Sequence, residues 1–236
     1  MIVAVACVPQ APLLLPGVTG RPVPEVEELR AAARAAIRDV VEAGVDEIVV
    51  LGAAPASRGY PPDAPAPAGR IAPAPDRRPE ADPLPVALAV GRALLEPCPV
   101  PWRLEGIGAD EPARAAAEAG EKIAARPGRT GLVVAADGSA RRGEKAPGYV
   151  DPRAPETDAR IRDALAGADT AALLGLDPGR CAELLIAGRA AWQAMAAACR
   201  DGEWAARLRY AADPFGVAYF VATWERRPAN REGSAG

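Results

Sequence analysis

Three stretches near the start decide the fold: Ile2–Cys7 (IVAVAC), Glu25–Ala43 (EVEELRAAARAAIRDVVEA) and Glu47–Leu51 (EIVVL). The first and third are short, unbroken apolar runs, which suit strands covered on both faces. Between them, Val26, Leu29, Ala33, Ile37, Val40 and Val41 recur at helical spacing. Glu25, Glu27 and Glu28 fall in the first turn, where the helix dipole favours negative charge. Gly44 leads out of this helix. Strand, helix, strand in that order is a crossover unit, so the two strands are expected to be parallel.

Working outward, Pro9–Pro24 reads as a Pro-rich loop, and residues 53–83 are so crowded with Pro and Ala that they read as a long surface excursion. Pro83–Leu95 is expected to be a helix and Val100–Ile107 a strand. Asp110–Ala125 follows as a helix opened by Asp-Glu-Pro. Thr130–Ala136 (TGLVVAA) is a third buried strand, and a Gly-rich polar loop runs from Asp137 to Asp151. The spacing then predicts helices over Pro155–Ala166, Thr170–Leu174 and, as one long element, Pro178–Cys199, with Leu184, Leu185, Ala191, Trp192 and Met195 as core contacts. Leu208–Tyr210 and Val217–Trp224 read as strands flanking a turn at Asp213–Gly216. The expected fold class is α/β: a three-layer α/β/α sandwich on a mixed, largely parallel sheet. One domain spans 1–225, and the polar tail 226–236 is expected to be disordered.

The 236 residues contain no histidine. That excludes a Ser-His-Asp triad, a Cys-His pair and every metal site built on imidazole. A net charge of -3 offers no basic footprint for nucleic acid. No apolar stretch approaches membrane-spanning length and the apolar N-terminus lacks a positive leader region, so a cytoplasmic protein is expected. Cys7, Cys98, Cys181 and Cys199 show no C-x-x-C spacing and read as small buried hydrophobes. A continuous helix would hold Cys181 and Cys199 about 27 Å apart, beyond disulfide reach.

In such folds, ligands gather at loops leaving the carboxyl ends of the strands. Three loops qualify: the one holding Gln10, the one holding Pro55 and Ser57, and Asp137–Lys145. The last is the richest polar stretch. Its glycines could let backbone N–H groups approach an anion that Arg141, Arg142 and Lys145 neutralise, or it could be turn chemistry with solvated charge. Ser139 has no histidine base; Glu144 and Lys145 are further candidates. Asp137, Glu144 and Asp151 could hold a hard cation, although no paired spacing supports it.

Four blocks carry a resemblance: CVPQAPLLLPGV (7–18), ADGSARRGEKAPGY (136–149), LDPGRCAELLIAGRAAWQ (176–193) and DPFGVAYFVATW (213–224). Together they resemble the class III extradiol ring-cleavage dioxygenase-like family, of which the Memo-like proteins are a distant branch. The likeness covers residues 1–225. It implies the same sandwich fold and, in the ring-cleaving members, a non-haem Fe(II) held by two His and a Glu, with a further His as acid–base. Each His position is degenerate here. The first metal His falls on Gln10, the second near Pro55 and the acid–base His on Ala140. The metal Glu finds its nearest match at Glu183, two residues out of register.

The resemblance therefore implies a protein that has lost its iron centre and ring-cleavage activity, has no cofactor, and persists as a small-molecule-binding or protein-interaction domain. Gln10, Pro55 and Ser139 are expected to line one cleft, with Arg141 or Arg142 at its rim. The ligand would be small and anionic or aromatic; a homo-oligomer or protein partner is the other option. The alternative is an enzyme of another class acting on an anionic small molecule through the Asp137–Lys145 loop.

Overall fold

The computed structural model of the chain describes residues 1–67, 83–144 and 146–228. Its elements are β1 (Ile2–Val8), a single 3-10 turn (Pro12–Leu14), α1 (Pro24–Glu42), β2 (Glu47–Ala54), β3 (Arg58–Tyr60), α2 (Val86–Leu95), β4 (Trp102–Gly108) and α3 (Ala113–Ala124). There follow β5 (Thr130–Ala135), α4 (Ala154–Gly167), α5 (Thr170–Leu174), α6 (Pro178–Glu183), α7 (Arg189–Cys199), β6 (Trp204–Ala212) and β7 (Tyr219–Arg226).

One seven-stranded sheet runs in the order β3-β4-β2-β5-β1-β7-β6. The four central strands β4, β2, β5 and β1 are parallel, while β3, β7 and β6 pair antiparallel at the flanks. All seven residues of β1 and all six of β5 are buried, which is what continuous apolar runs predict for strands covered on both faces. Two apolar cores lie on either side of the sheet. One joins it to α1 and α2 through Leu29, Ile37, Leu88 and Val90; the other joins it to α3, α4 and α7 through Ile123, Ile161, Trp192 and Met195. This is the three-layer α/β/α sandwich on a mixed, largely parallel sheet. Among the described residues, no helix is long and apolar enough to cross a membrane.

The structure corrects several expectations. First, the helix foreseen over Pro178–Cys199 is two helices, α6 and α7. Leu185 adopts a left-handed φ of 56°, and the Leu185 and Ile186 N–H groups bond back to the carbonyls of Ala182 (3.1 Å) and Cys181 (2.8 Å). That reverse bonding is a helix stop. It leaves Leu185 exposed rather than in the core, and voids the distance argument for Cys181 and Cys199, although both are free and buried. The break follows from a close approach: a Cβ on Gly188 would stand 2.6 Å from the Ala136 Cβ and 2.8 Å from the Asp137 carbonyl oxygen. The chain leaves its helix to bring Gly188 against the end of β5.

Second, the Pro-rich excursion is not wholly irregular, because Arg58–Tyr60 forms β3 on the sheet edge; residues 68–82 lie outside the described residues. Third, the strand foreseen at Leu208–Tyr210 extends over Trp204–Ala212. Fourth, β7 continues through Glu225 and Arg226 into the segment read as tail, and residues 229–236 lie outside the described residues. Last, Cys98, read as buried, is partly exposed.

Candidate functional site at the carboxyl edge of the parallel strands

Because β2, β5 and β1 are neighbours and parallel, their outgoing loops share one edge. Val8 pairs with Ala135, so the chain leaves both strands at the same level. Two residues later, the Gln10 N–H donates to Asp137 Oδ1 at 2.9 Å. Gly188 donates its N–H to the Asp137 carbonyl at 3.2 Å, and Gly138 donates to the Ala218 carbonyl at 2.8 Å. The edge is thus stitched from β1, β5, the α6–α7 break and the start of β7.

Asp137 is the chemically notable group. Its residue keeps part of its surface accessible, yet protein surrounds the carboxyl closely enough that desolvation pushes its pKa up from 3.8 to about 7. The Gln10 N–H partly opposes this, since it favours the charged form. The Asp137 charge in turn raises the phenol of Tyr219 on β7, whose burial is the larger cause. The Gln10 side-chain oxygen is buried with no hydrogen-bond donor.

Ser139 goes elsewhere. It is fully buried; its hydroxyl donates to Asp158 Oδ2 at 2.5 Å and its N–H to Asp158 Oδ1 at 2.9 Å. Asp158 lies on α4, and its pKa is raised by burial while the two bonds from Ser139 and the Arg142 charge hold the rise in check. Arg142 donates to Asp213 at 2.7 Å and stands 3.7 Å from Asp158. A serine tied into a carboxylate–arginine cluster locks the loop to α4; it does not offer a free nucleophile.

The remaining expected residues disperse. Pro55 is exposed on the loop after β2, and Ser57 there accepts from the Gly108 N–H at 3.0 Å. Arg141 donates to the Tyr149 carbonyl at 3.3 Å, and Glu144 is exposed. Lys145 lies outside the described residues. Glu183 is 57% exposed and bound to Arg153 at 2.7 Å, and Arg153 also holds Asp151, whose pKa it lowers. So Gln10 and the Asp137 loop do meet, but Ser139 is sealed within the fold and the single cleft expected from Gln10, Pro55 and Ser139 does not form. The large cavity of about 790 Å³ lies between α4, α5 and α6, lined by residues such as Arg160, Asp163, Asp177 and Arg180, and includes none of the expected site residues.

Iron does not fit this edge. Pro55 has no side-chain donor, Glu183 is committed to Arg153 on the surface, and Gln10 alone would supply a neutral amide oxygen. Fe(II) sites draw their affinity from imidazole and charged ligands. Among the described residues, no group of three or more Cys, Asp or Glu is placed to hold a metal ion, so Asp137, Glu144 and Asp151 do not converge. The alternative of an anion held by the loop arginines fares little better, since Arg142 already answers two carboxylates.

Sequence reasoning missed Asp158, placed Asp213 only in a turn, and took Asp137 as one of several loop acids that could hold a hard cation. The available signal was position: Asp137 is the first charged residue after the buried run of β5, where a carboxylate meets the sheet edge with little water around it.

A scan of protein-family models finds no match to the chain, and a search of curated proteins finds none either. Among solved structures, the fold is similar to the crystal structure of uncharacterized protein JW3007 from Escherichia coli K12. The TM-score is 0.54 at 14% identity, covering 94% of this chain and 99% of that one. At that identity the likeness speaks for the fold alone.

Proposed function

We propose that this chain is a class III extradiol dioxygenase-like protein that has lost its Fe(II) centre and ring-cleavage activity and serves as a small-molecule-binding domain. The observation that carries the reading is the pairing at the strand ends. Where the resemblance puts the first metal ligand stands Gln10, tied through its backbone to a carboxyl that burial keeps protonated up to about pH 7. A metal site needs its carboxylates ionised, and burial opposes ionisation of the carboxyl that sits beside Gln10. What this edge retains are polar acceptors at the place where such folds bind their ligands.

Elemental analysis of dialysed protein tests the loss of iron, with less than about 0.1 Fe per chain expected, because a site with so few charged ligands cannot retain the ion. Protocatechuate and catechol should stay intact under Fe(II) and O₂ at the rate of free iron. About one retained Fe per chain, or a ring-opened yellow product whose formation depends on Gln10 or Glu183, refutes the reading. The protein-interaction form of the proposal rests on a separate feature. Tyr149, Val150 and Leu185 are 90%, 57% and 42% exposed on the loop and helix break that border this edge.

A further inference from the structure

The inference goes beyond the strand-end reading and stands apart from it. We infer that the cavity of about 790 Å³ between α4, α5 and α6 is a site for a small zwitterion with an apolar body, of the class of an α-amino acid with an apolar side chain. Ligand pockets run to roughly 300–1,000 Å³, so its size is that of a small-molecule site. The lining sorts into an apolar wall and a charged rim. Leu176 and Ala172 line it with apolar surface that solvent reaches, and Ile161 and Leu173 are packed behind them. Cys181 completes the wall; burial pushes its thiol up to about 11, so it adds no charge at neutral pH.

The rim carries both signs. Two ion pairs there are already closed, Arg160 with Glu156 at 2.6 Å and Asp163 with Arg162 at 2.8 Å. Three charges stay open. Asp169 and Asp177 each spend one oxygen on a backbone N–H, of Ala172 at 2.9 Å and of Arg180 at 2.7 Å, and their second oxygens have no donor among the described residues. The Arg180 guanidinium has no acceptor among the described residues either, although it lines the same cavity. All three residues are exposed, so a ligand reaches them without opening the core.

A zwitterion answers all three at once. Its carboxylate can take two parallel N–H bonds from the Arg180 fork, and its ammonium brings three donors to the free Asp169 and Asp177 oxygens. A purely anionic ligand meets Arg180 but is repelled by the two aspartates. A purely cationic one leaves Arg180 unmatched, and a neutral apolar one uses none of the three charges. A hard divalent cation requires six or more oxygens, and no group of three Cys, Asp or Glu is placed to hold a metal ion among the described residues.

The test uses L-phenylalanine, with phenethylammonium chloride and sodium 3-phenylpropionate as single-charge analogues, at pH 7 and matched ionic strength. Methyl NMR of Leu173 and Leu176 and the backbone amide of Arg180 report occupancy. L-Phenylalanine should shift these signals saturably. Each analogue should bind about tenfold more weakly, the effect of one charge-assisted contact at a solvent-exposed rim. Arg180→Ala should remove the preference for phenylalanine over phenethylammonium. Asp169→Asn combined with Asp177→Asn keeps both backbone bonds, because Asn accepts in the same position, and should remove the preference over 3-phenylpropionate. In the unaltered protein, no saturable shift up to the solubility of phenylalanine, or an analogue that binds as tightly, overturns the proposal whatever the variants do. A preference that survives its matching substitution overturns it as well. Failure here is separable from failure of the functional reading, which turns on bound iron and ring cleavage.

Discussion

Replacing Asp137 by Asn should make the protein more resistant to unfolding at alkaline pH than at acid pH, relative to the parent chain. The carboxyl titrates near 3.8 when solvated and near 7 in the fold. Between those values the folded protein holds a proton that the unfolded chain has given up, so the parent loses stability as pH rises and the loss levels off above about 7. From pH 5 to pH 8 the difference spans about two pH units of differential binding, worth about 1.4 kcal/mol each, or about 3 kcal/mol in all. Solvent access to part of the residue brings the expectation to about 2 kcal/mol. Asn cannot titrate and still accepts from the Gln10 N–H, so the stability gap between variant and parent should grow by that amount. Urea unfolding of both proteins at pH 5, 6, 7 and 8 measures it. A gap constant to within about 0.5 kcal/mol, the usual scale of a surface substitution, would falsify the assignment of a buried, unpaired carboxyl.

Other substitutions probe the packing around the site. Gly120→Ala on α3 would drive a Cβ into the carbonyl oxygen of Ala194 on α7, where only backbone movement can relieve it. In place of the gain of about 1 kcal/mol that Ala brings to an exposed helix, a net loss of about 2 kcal/mol and a lower melting temperature are expected. Asp158→Ala strands both the Ser139 hydroxyl and its N–H within the fold, and should cost about 2–4 kcal/mol in urea unfolding, part of it recovered when Ser139→Ala is added; full additivity of the two would contradict the bond. Trp224→Phe removes the indole N–H bonded at 2.8 Å to the Leu165 carbonyl, and should cost about 2 kcal/mol with β7 still paired, as read by unfolding and by amide exchange of Thr223.

The sheet was legible because its central strands are apolar throughout: a run such as Ile2–Val8 can be buried on both faces only inside a layered α/β fold. The break at Leu184–Gly188 was not, because its apolar pattern continues unbroken from one helix to the next. What ends α6 is a tertiary contact, Gly188 against the backbone of Asp137, which no local spacing announces. Arg58–Tyr60 escaped for a similar reason; three residues among prolines become a strand only because β4 offers them a partner. At the site, Gln10 and Asp137 could each be named from their places after β1 and β5. Their bond depends on the register that sets Val8 beside Ala135, and Ser139 was misplaced because its partner, Asp158, belongs to the following helix.

The sheet order also dictates when the fold can be finished. β1 lies between β5 and β7, with Ala4 facing Glu225, so the earliest strand of this chain to be synthesised receives its second neighbour from nearly the last residues described. Until then β1 has at best one partner, and its other flank is a row of free N–H and C=O groups, apolar on both faces. Such an edge is a template for pairing with any extended chain. Nascent or truncated chains ending before Tyr219 therefore carry the risk of joining one another, and closure of the C-terminal hairpin is the event that converts a sticky edge into the sealed interior of a sheet.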